Sequence, residues 1–314
     1  MNDQSSRSPL PGTLEDRLRQ ARFVMTAEIV PPVSCEARGL LQKAAPLKGL
    51  ADAINVTDGA GARAHMSALA AAGLLAAAGF EPILQMTCRD KNRIALQGEM
   101  MGAVAFGIRN LLLLTGDDPK AGDQPETKPV FDIDSRTLIE TARRLRDDGT
   151  LPTGRKVAGH AGFFIGAADT PIDPPDGWQP NALLAKIKSG AQFVQTQFCM
   201  DAGIVRRYVG ALENAGVTKD LAILVGVNPL RSAKSAQWMK TYLYGTIIPD
   251  ASIARLEKAA DPAGEGLRLC VELIEELSSI RGVAGVHIMA PGNDVAIAEA
   301  ISEARARIRK SPRP

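Results

Sequence analysis

The chain is poor in aromatic residues, in histidine and in net charge. Eight Phe, three Tyr and two Trp make up only 4% of its 314 residues, so a flat ligand that stacks on side-chain rings finds a small platform. Lys plus Arg number 37 against 35 Asp plus Glu. The resulting net charge of +2 is too small for the positive field that sequence-independent binding to a phosphate backbone needs, and nucleic acid is not an expected partner. The four cysteines, Cys35, Cys88, Cys199 and Cys270, are far apart and form no CxxC pair. That suits free thiols in a reducing compartment better than a disulfide frame or a zinc knuckle, and no metal is expected. Walker loops and GxSxG elbows are missing, which leaves nucleoside-triphosphate hydrolysis and acyl transfer without motif support. No hydrophobic run is long enough to cross a bilayer, and the first twenty residues, polar and broken by Pro9 and Pro11, hold no secretion segment. A cytosolic protein without a membrane role is expected.

What is present is an ordinary globular mix, 45% apolar and 23% charged, in which short β-rich runs alternate with longer Ala/Leu-rich segments. The spacing predicts strands at 23 to 30, 51 to 57, 81 to 87, 108 to 115, 156 to 166, 191 to 198, 221 to 227 and 285 to 291. Between and after them it predicts helices near 36 to 47, 64 to 78, 91 to 106, 134 to 148, 179 to 189, 201 to 215, 232 to 243, 263 to 280 and 293 to 309. Near-continuous apolar strands such as Leu111 to Leu114 are what a parallel sheet covered by helices requires. Eight strand-helix units give the (β/α)8 count, and the first strand ends in Glu28-Ile29-Val30-Pro31-Pro32 rather than in a Gly-rich dinucleotide turn. The expected architecture is a single α/β domain, a TIM barrel over 21 to 314, preceded by a partly flexible leader over 1 to 20.

In such a barrel the chemistry lies at the C-terminal strand ends. Glu28 ends the first strand inside an apolar run. Unpaired, it is a candidate general acid; its alternative is a partner Arg or Lys at a neighbouring strand end. Strand two ends in Asn55-Val56-Thr57-Asp58-Gly59-Ala60-Gly61, short polar side chains with glycines that admit a ligand to the backbone. Strand three ends in Gln85-Met86-Thr87-Cys88-Arg89-Asp90-Lys91-Asn92-Arg93, whose cations at a helix start read either as an anion seat or as a solvated set of local ion pairs. Strand four ends in Thr115-Gly116-Asp117-Asp118-Pro119; Asp117 is expected to face the axis, with Asp118 before proline in the turn. On strand six Gln195 and Gln197 share a face, each an amide that can read a heterocycle edge. His65, expected to head a helix, and His160 and His287, expected within strands five and eight, read singly as structural imidazoles.

AEIVPP at 27 to 32, NVTDGAG at 55 to 61, MTCRDKNR at 86 to 93, LLLLTGDDP at 111 to 119 and AQFVQTQF at 191 to 198 together resemble the methylenetetrahydrofolate reductase family, in order and spacing across roughly 23 to 309. The resemblance implies a barrel with bound FAD, reduced by NADH or NADPH, which passes hydride to 5,10-methylenetetrahydrofolate and yields 5-methyltetrahydrofolate in one-carbon metabolism and methionine supply. Some members of the family run without flavin, depend on partner proteins, or work oxidatively in methyl-group catabolism; family barrels commonly assemble through their outer helices. By position, Glu28 matches the acid that protonates folate N10, Asp117 the aspartate near flavin and pterin, and Gln197 the glutamine that holds folate and nicotinamide in turn. Thr57, Asp58, Gln85, Thr87, Arg89, Thr115, Gly116, Asp118, Lys186 and Ala191 fall at or beside implied cofactor positions. Gln85 replaces a common histidine, Thr115 an arginine that often reaches the flavin phosphates, and Ala233 a phenylalanine that sandwiches substrate. Phosphates are then expected at Arg89, Lys91 or Arg93.

Overall fold

The computed structural model describes residues 12–310. Eight parallel strands, β1 (Val24–Ile29), β2 (Ala53–Val56), β3 (Pro82–Thr87), β4 (Asn110–Leu114), β5 (Phe164–Asp169), β6 (Phe193–Phe198), β7 (Ala222–Val227) and β8 (Val283–Ile288), pair in sequence order. The cylinder closes where β8 pairs with β1, Thr26 opposite His287. Helix α1 (Leu14–Arg19) precedes β1; α2 (Ala37–Ala44), α3 (Ala68–Ala77), α4 (Arg93–Ala105), α5 (Ser135–Asp147), α6 (Asn181–Ser189) and α7 (Ala202–Asn214) follow the first six strands in turn. Three helices, α8 (Ala233–Tyr242), α9 (Asp250–Lys258) and α10 (Pro262–Ser278), lie between β7 and β8, and α11 (Asp294–Lys310) closes the ring. The expected TIM barrel is the observed fold, because the outward face of every strand carries residues such as Met25, Ile54, Leu84, Leu111, Ile165 and Val225 that bury against the helices.

The barrel interior changes character along its axis. At the N-terminal end Val24, Ala53, Ile83, Leu112, Phe164, Phe193 and Leu224 form a dry cluster. Phe164 and Phe193 stack there with centroids 4.9 Å apart, a geometry worth about 0.5–1.5 kcal/mol beyond burial. Gly166 makes room for that stack, since a Cβ on it would stand 2.3 Å from the Phe193 ring. Two residues further up β1, β2, β3, β6 and β8 the inward positions are polar, Thr26, Asn55, Gln85, Gln195 and His287, whereas β4, β5 and β7 carry Leu114, Gly166 and Gly226 there.

One part of the sequence reading changes, and the described end of the expected leader takes a definite place. The fifth strand is Phe164–Asp169, not 156 to 166, so His160 lies in an exposed segment before the strand, on the rim opposite the C-terminal ends. Residues 12–20 of the expected leader are docked: Thr13 caps α1 with a capping box, and Leu14 is fully buried in the dry cluster, stopping the N-terminal opening. Residues 1–11, including Pro9 and Pro11, lie outside the described residues. No described helix is long and apolar enough to cross a membrane.

Candidate active site

A cavity of about 670 Å³ opens at the C-terminal end of the barrel. Its floor holds Glu28, Asn55, Gln85, Gln195 and His287, and its rim Asp117, Lys186, Gln197 and Tyr244. The floor residues arrive there because inward positions repeat every second residue along each strand. Glu28, two residues above Thr26, and Gln195 and Gln197 on β6 follow that period.

Four carboxylates line the cavity: Glu28, Asp58, Asp117 and Asp169. Asp58 accepts from the Thr87 amide (2.9 Å), the Thr87 hydroxyl (3.1 Å) and Lys91 Nζ (2.9 Å). Asp169 accepts from the Tyr208 hydroxyl, with Lys186 Nζ 3.9 Å away. Burial first, and then the Asp169 charge, push the Tyr208 phenol far above its usual range. The remaining two, Glu28 and Asp117, have no Lys or Arg ion pair among the described residues. The nearest charged or chargeable partner of Glu28 is His287, Nε2 to Oε2 3.7 Å. Its alternative reading, an Arg or Lys at the next strand end, is therefore not what the fold builds.

The cations after β3 do not form an open anion seat. Arg89, 3% exposed, grips Asp90 through Nε (2.8 Å) and Nη2 (2.7 Å) and also donates to the Gly59 carbonyl at 3.0 Å. Lys91 bridges Asp58 and Glu99, each at 2.9 Å, and these pairings, against the opposing effect of burial, hold its ammonium above the usual range. Arg93 pairs with Asp132 through Nε at 2.7 Å, and that hydrogen bond lowers the Asp132 carboxyl to about 2. All three cations are thus engaged in ion pairs, and of them Arg89 lines the cavity. Lys186, which donates to the Ala168 carbonyl and lies 3.9 Å from Asp169, shares the cavity wall with Arg89.

Other expected contact residues divide in the same way. Thr57, Gln85, Thr87, Thr115 and Gly116 line the cavity, and Gly116 takes a φ of +97° that a side chain would strain. Asp118 does not: its carboxylate caps the turn Pro119–Ala121, accepting from the Lys120 amide at 3.0 Å. Ala191 is buried before the first residue of β6, at the opposite end of that strand, because its amide closes the turn onto the Lys186 carbonyl. Gln197 lies at the rim with its amide engaged, Oε1 accepting from the Phe198 amide (2.9 Å) and Nε2 donating to the Tyr244 carbonyl (3.2 Å).

The floor also carries polar atoms left without a protein partner. Asn55 Oδ1, Thr57 Oγ1 and Gln195 Oε1 are buried without a hydrogen-bond partner. Buried polar atoms left unpaired are costly, so three around one cavity mark a place built for a ligand with donors on its edge. His287 joins them through the β8–β1 pairing. The inward alternation of Gly285, His287 and Met289 was the available signal. Tyr244, 88% exposed at the mouth, is an aromatic face that the composition made easy to overlook.

The model of the methylenetetrahydrofolate reductase family matches residues 13–305. The chain is 25% identical over 238 residues to a probable methylenetetrahydrofolate reductase (NADPH) of Caenorhabditis elegans, covering 73% of this chain and 33% of that protein. It is 26% identical over 223 residues to methylenetetrahydrofolate reductase 2 of Schizosaccharomyces pombe, covering 65% of this chain and 32% of that protein. The chain thus spans about a third of the length of these curated relatives. Among solved structures it resembles an uncharacterized protein from Clostridium thermocellum that binds two copies of 5-methyl-5,6,7,8-tetrahydrofolic acid, with a TM-score of 0.61 and 14% identity over 95% of this chain and 99% of that one. DmoA from Hyphomicrobium sulfonivorans aligns with a TM-score of 0.55 and 11% identity, over 93% of this chain and 89% of that one. At such identities the structural likeness shows the barrel. The match across almost all of the described residues shows more: the chain belongs to the methylenetetrahydrofolate reductase family.

Proposed function

We propose that this chain reduces 5,10-methylenetetrahydrofolate to 5-methyltetrahydrofolate with NADH or NADPH as donor and FAD as the bound carrier. The observation that carries the reading is a pair of carboxylates at one cavity with no Lys or Arg ion pair among the described residues, Glu28 on its floor and Asp117 on its rim. The floor suits a flat heterocycle with donor edges, which both isoalloxazine and pterin are, because Asn55, Thr57 and Gln195 offer unpaired acceptor atoms there. Thr57, Gln85, Thr87 and Gly116 would hold such a ring, and Lys186 would face its anionic tail. When bound, FAD supplies reversible hydride uptake and release, which no side chain can.

The protein's own residues supply the proton and the field. Glu28 donates its proton to N10 of the folate, and the five-membered ring opens to a 5-iminium cation that accepts hydride. The negative charge of Asp117 favours that cation. Gln197, its amide fixed by Phe198 and Tyr244, keeps one N–H and one lone pair for folate and then nicotinamide. Donor and acceptor must come within roughly 3–3.5 Å for transfer, so both substrates use the same cavity in succession.

The test is the purified chain under anaerobic conditions, given methylenetetrahydrofolate with NADH, NADPH or an artificial donor. A yellow, stoichiometric chromophore that bleaches with nicotinamide and recolours with folate is expected. A colourless protein that still turns over replaces the carrier with direct transfer; a chain inert with every donor overturns the reading.

A further inference from the structure

A second cavity, of about 700 Å³, opens at the other end of the barrel beside the cap of α1, and no residue lines both it and the mouth cavity. The apolar cluster that includes Ile83, Phe164 and Phe193 fills the interior between them. A molecule held here therefore takes no part in chemistry at the mouth.

Its wall comes largely from residues just before β3, β4 and β5. Arg109 and His160 meet there over Gly162, whose φ is +53°. A Cβ on that glycine would stand 2.5 Å from Arg109 Nη1 and 3.5 Å from His160 Cδ2, so guanidinium and imidazole flank one point that only a residue without a side chain leaves open. Neither side chain has a hydrogen bond or an ion pair among the described residues. The acids of the wall are engaged elsewhere: Glu15 accepts from Arg19 Nη2 at 2.6 Å, and Glu81 from the Leu14 amide and Asn110. Gln192 uses its Oε1 on Arg146 and on the Ile165 amide, which leaves its N–H groups as donors. Arg109 and Gln192 thus present donors, and His160 adds another, a set suited to an anion.

Ring surface lies beside these donors. Phe106 rests on Gly73 of α3, where a Cβ would stand 3.3 Å from the ring, and is 56% exposed; Phe80 lines the same wall. In a chain with only eight phenylalanines, two of them next to an unpaired guanidinium suit a flat ligand that is also charged.

We propose that this cavity binds an aromatic anion, a planar ring that carries a phosphate or a carboxylate. The ring packs on Phe106 and Phe80, and the anionic group takes Arg109, with His160 and Gln192 as further donors. Bound there, the molecule joins the start of α1, through Gly12 and Thr13, to the residues before β4 and β5, and so stabilises the folded chain without entering the reaction. The site does not depend on the reductase reading.

Nitrogen NMR of the full chain labelled with ¹⁵N-histidine reads the two cavities separately, because His160 lines this one and His287 the other. His160→Asn assigns the signal. The probes are AMP, a ring with a phosphate, and benzoate, a ring with a carboxylate. At least one is expected to move the His160 signal saturably, and which one does so names the anionic group. The separate halves, inorganic phosphate and adenosine or acetate and benzyl alcohol, are expected to bind about tenfold more weakly. Arg109→Met is expected to weaken binding about tenfold or more and Phe106→Leu about threefold or more, with melting temperatures of the free proteins close to wild type. A His160 signal unmoved by both probes at millimolar concentration, movement of His287 alone, an equal response to inorganic phosphate or acetate, or an affinity indifferent to either substitution overturns the proposal. Should Arg109→Met fail to fold, the wild-type titrations and Phe106→Leu, at an exposed position, still decide it.

Discussion

The backbone amide of Leu14 donates to Oε1 of Glu81 at 2.6 Å, and Asn110 Nδ2 donates to the same oxygen at 3.0 Å. One carboxylate before β3 thereby ties the stopper helix α1 to the strands whose opening it covers. Arg17 of that helix adds a donor to the Asp52 carbonyl at 2.9 Å.

If Leu14 closes the dry end of the barrel, its truncation should be felt throughout. Leu14→Ala removes a side chain with no exposure from the cluster around Phe164 and Phe193. The expected loss is about 2–5 kcal/mol. Urea unfolding of the variant and the parent checks it; a midpoint within error of the parent would show that α1 rides on the barrel without sealing it.

Glu81 should also make stability depend on pH. Burial raises its carboxyl above the ordinary 4.5, against the lowering effects of the Leu14 and Asn110 hydrogen bonds and Arg17. The folded state therefore binds this proton more tightly than the unfolded chain. The contribution is complete below about pH 4.5 and is lost as pH rises through the raised value. Glu81→Gln is thus expected to compare best with wild type near neutral pH and worst in acid, read from melting temperatures across that range. A difference that stays flat with pH would deny Glu81 the role.

Thiol chemistry offers an independent check on the core. Burial pushes Cys88 up to about 11 and Cys199 up to about 12, and raises Cys270 further, whereas Cys35 is exposed. Only a thiolate reacts readily. Brief alkylation of the native protein near pH 8 should label Cys35 alone, and all four cysteines after denaturation, as counted by intact mass. Early labelling of Cys88, which packs among the outward side chains of the barrel, would contradict the packing.

Glu28→Gln separates the two halves of the proposed reaction. It removes the acid and keeps the shape, so flavin reduction by nicotinamide should persist while folate turnover falls by about 10²-fold or more. Stopped-flow absorbance with each substrate alone measures both. Unchanged folate turnover would remove the acid role from this residue.

Much of this was legible in the sequence, for identifiable reasons. Apolar runs such as Leu111 to Leu114 are unambiguous strands, and the rule that chemistry sits at strand C-termini led to Glu28 and Asp117. The fifth strand was placed early because the Val157 to Gly162 stretch has strand-like residues but precedes the segment that pairs with β4 and β6. Helix α9 was overlooked because it is short and lies between Pro249 and Pro262. The partners of Arg89, Lys91 and Arg93 come from adjacent turns and from separate elements, so spacing could not tell an anion seat from closed ion pairs. His287 comes into place only when the last strand meets the first, 261 residues from Thr26.

The change from apolar to polar side chains along the barrel axis would divide labour between folding and the proposed chemistry. Under the proposed function, replacements near the mouth are expected to silence turnover yet leave a molecule that still folds and still captures its small molecule. Such inert traps would be a practical source of liganded crystals, and the same division lets descendants of this sequence drift toward new reactions without first losing their shape.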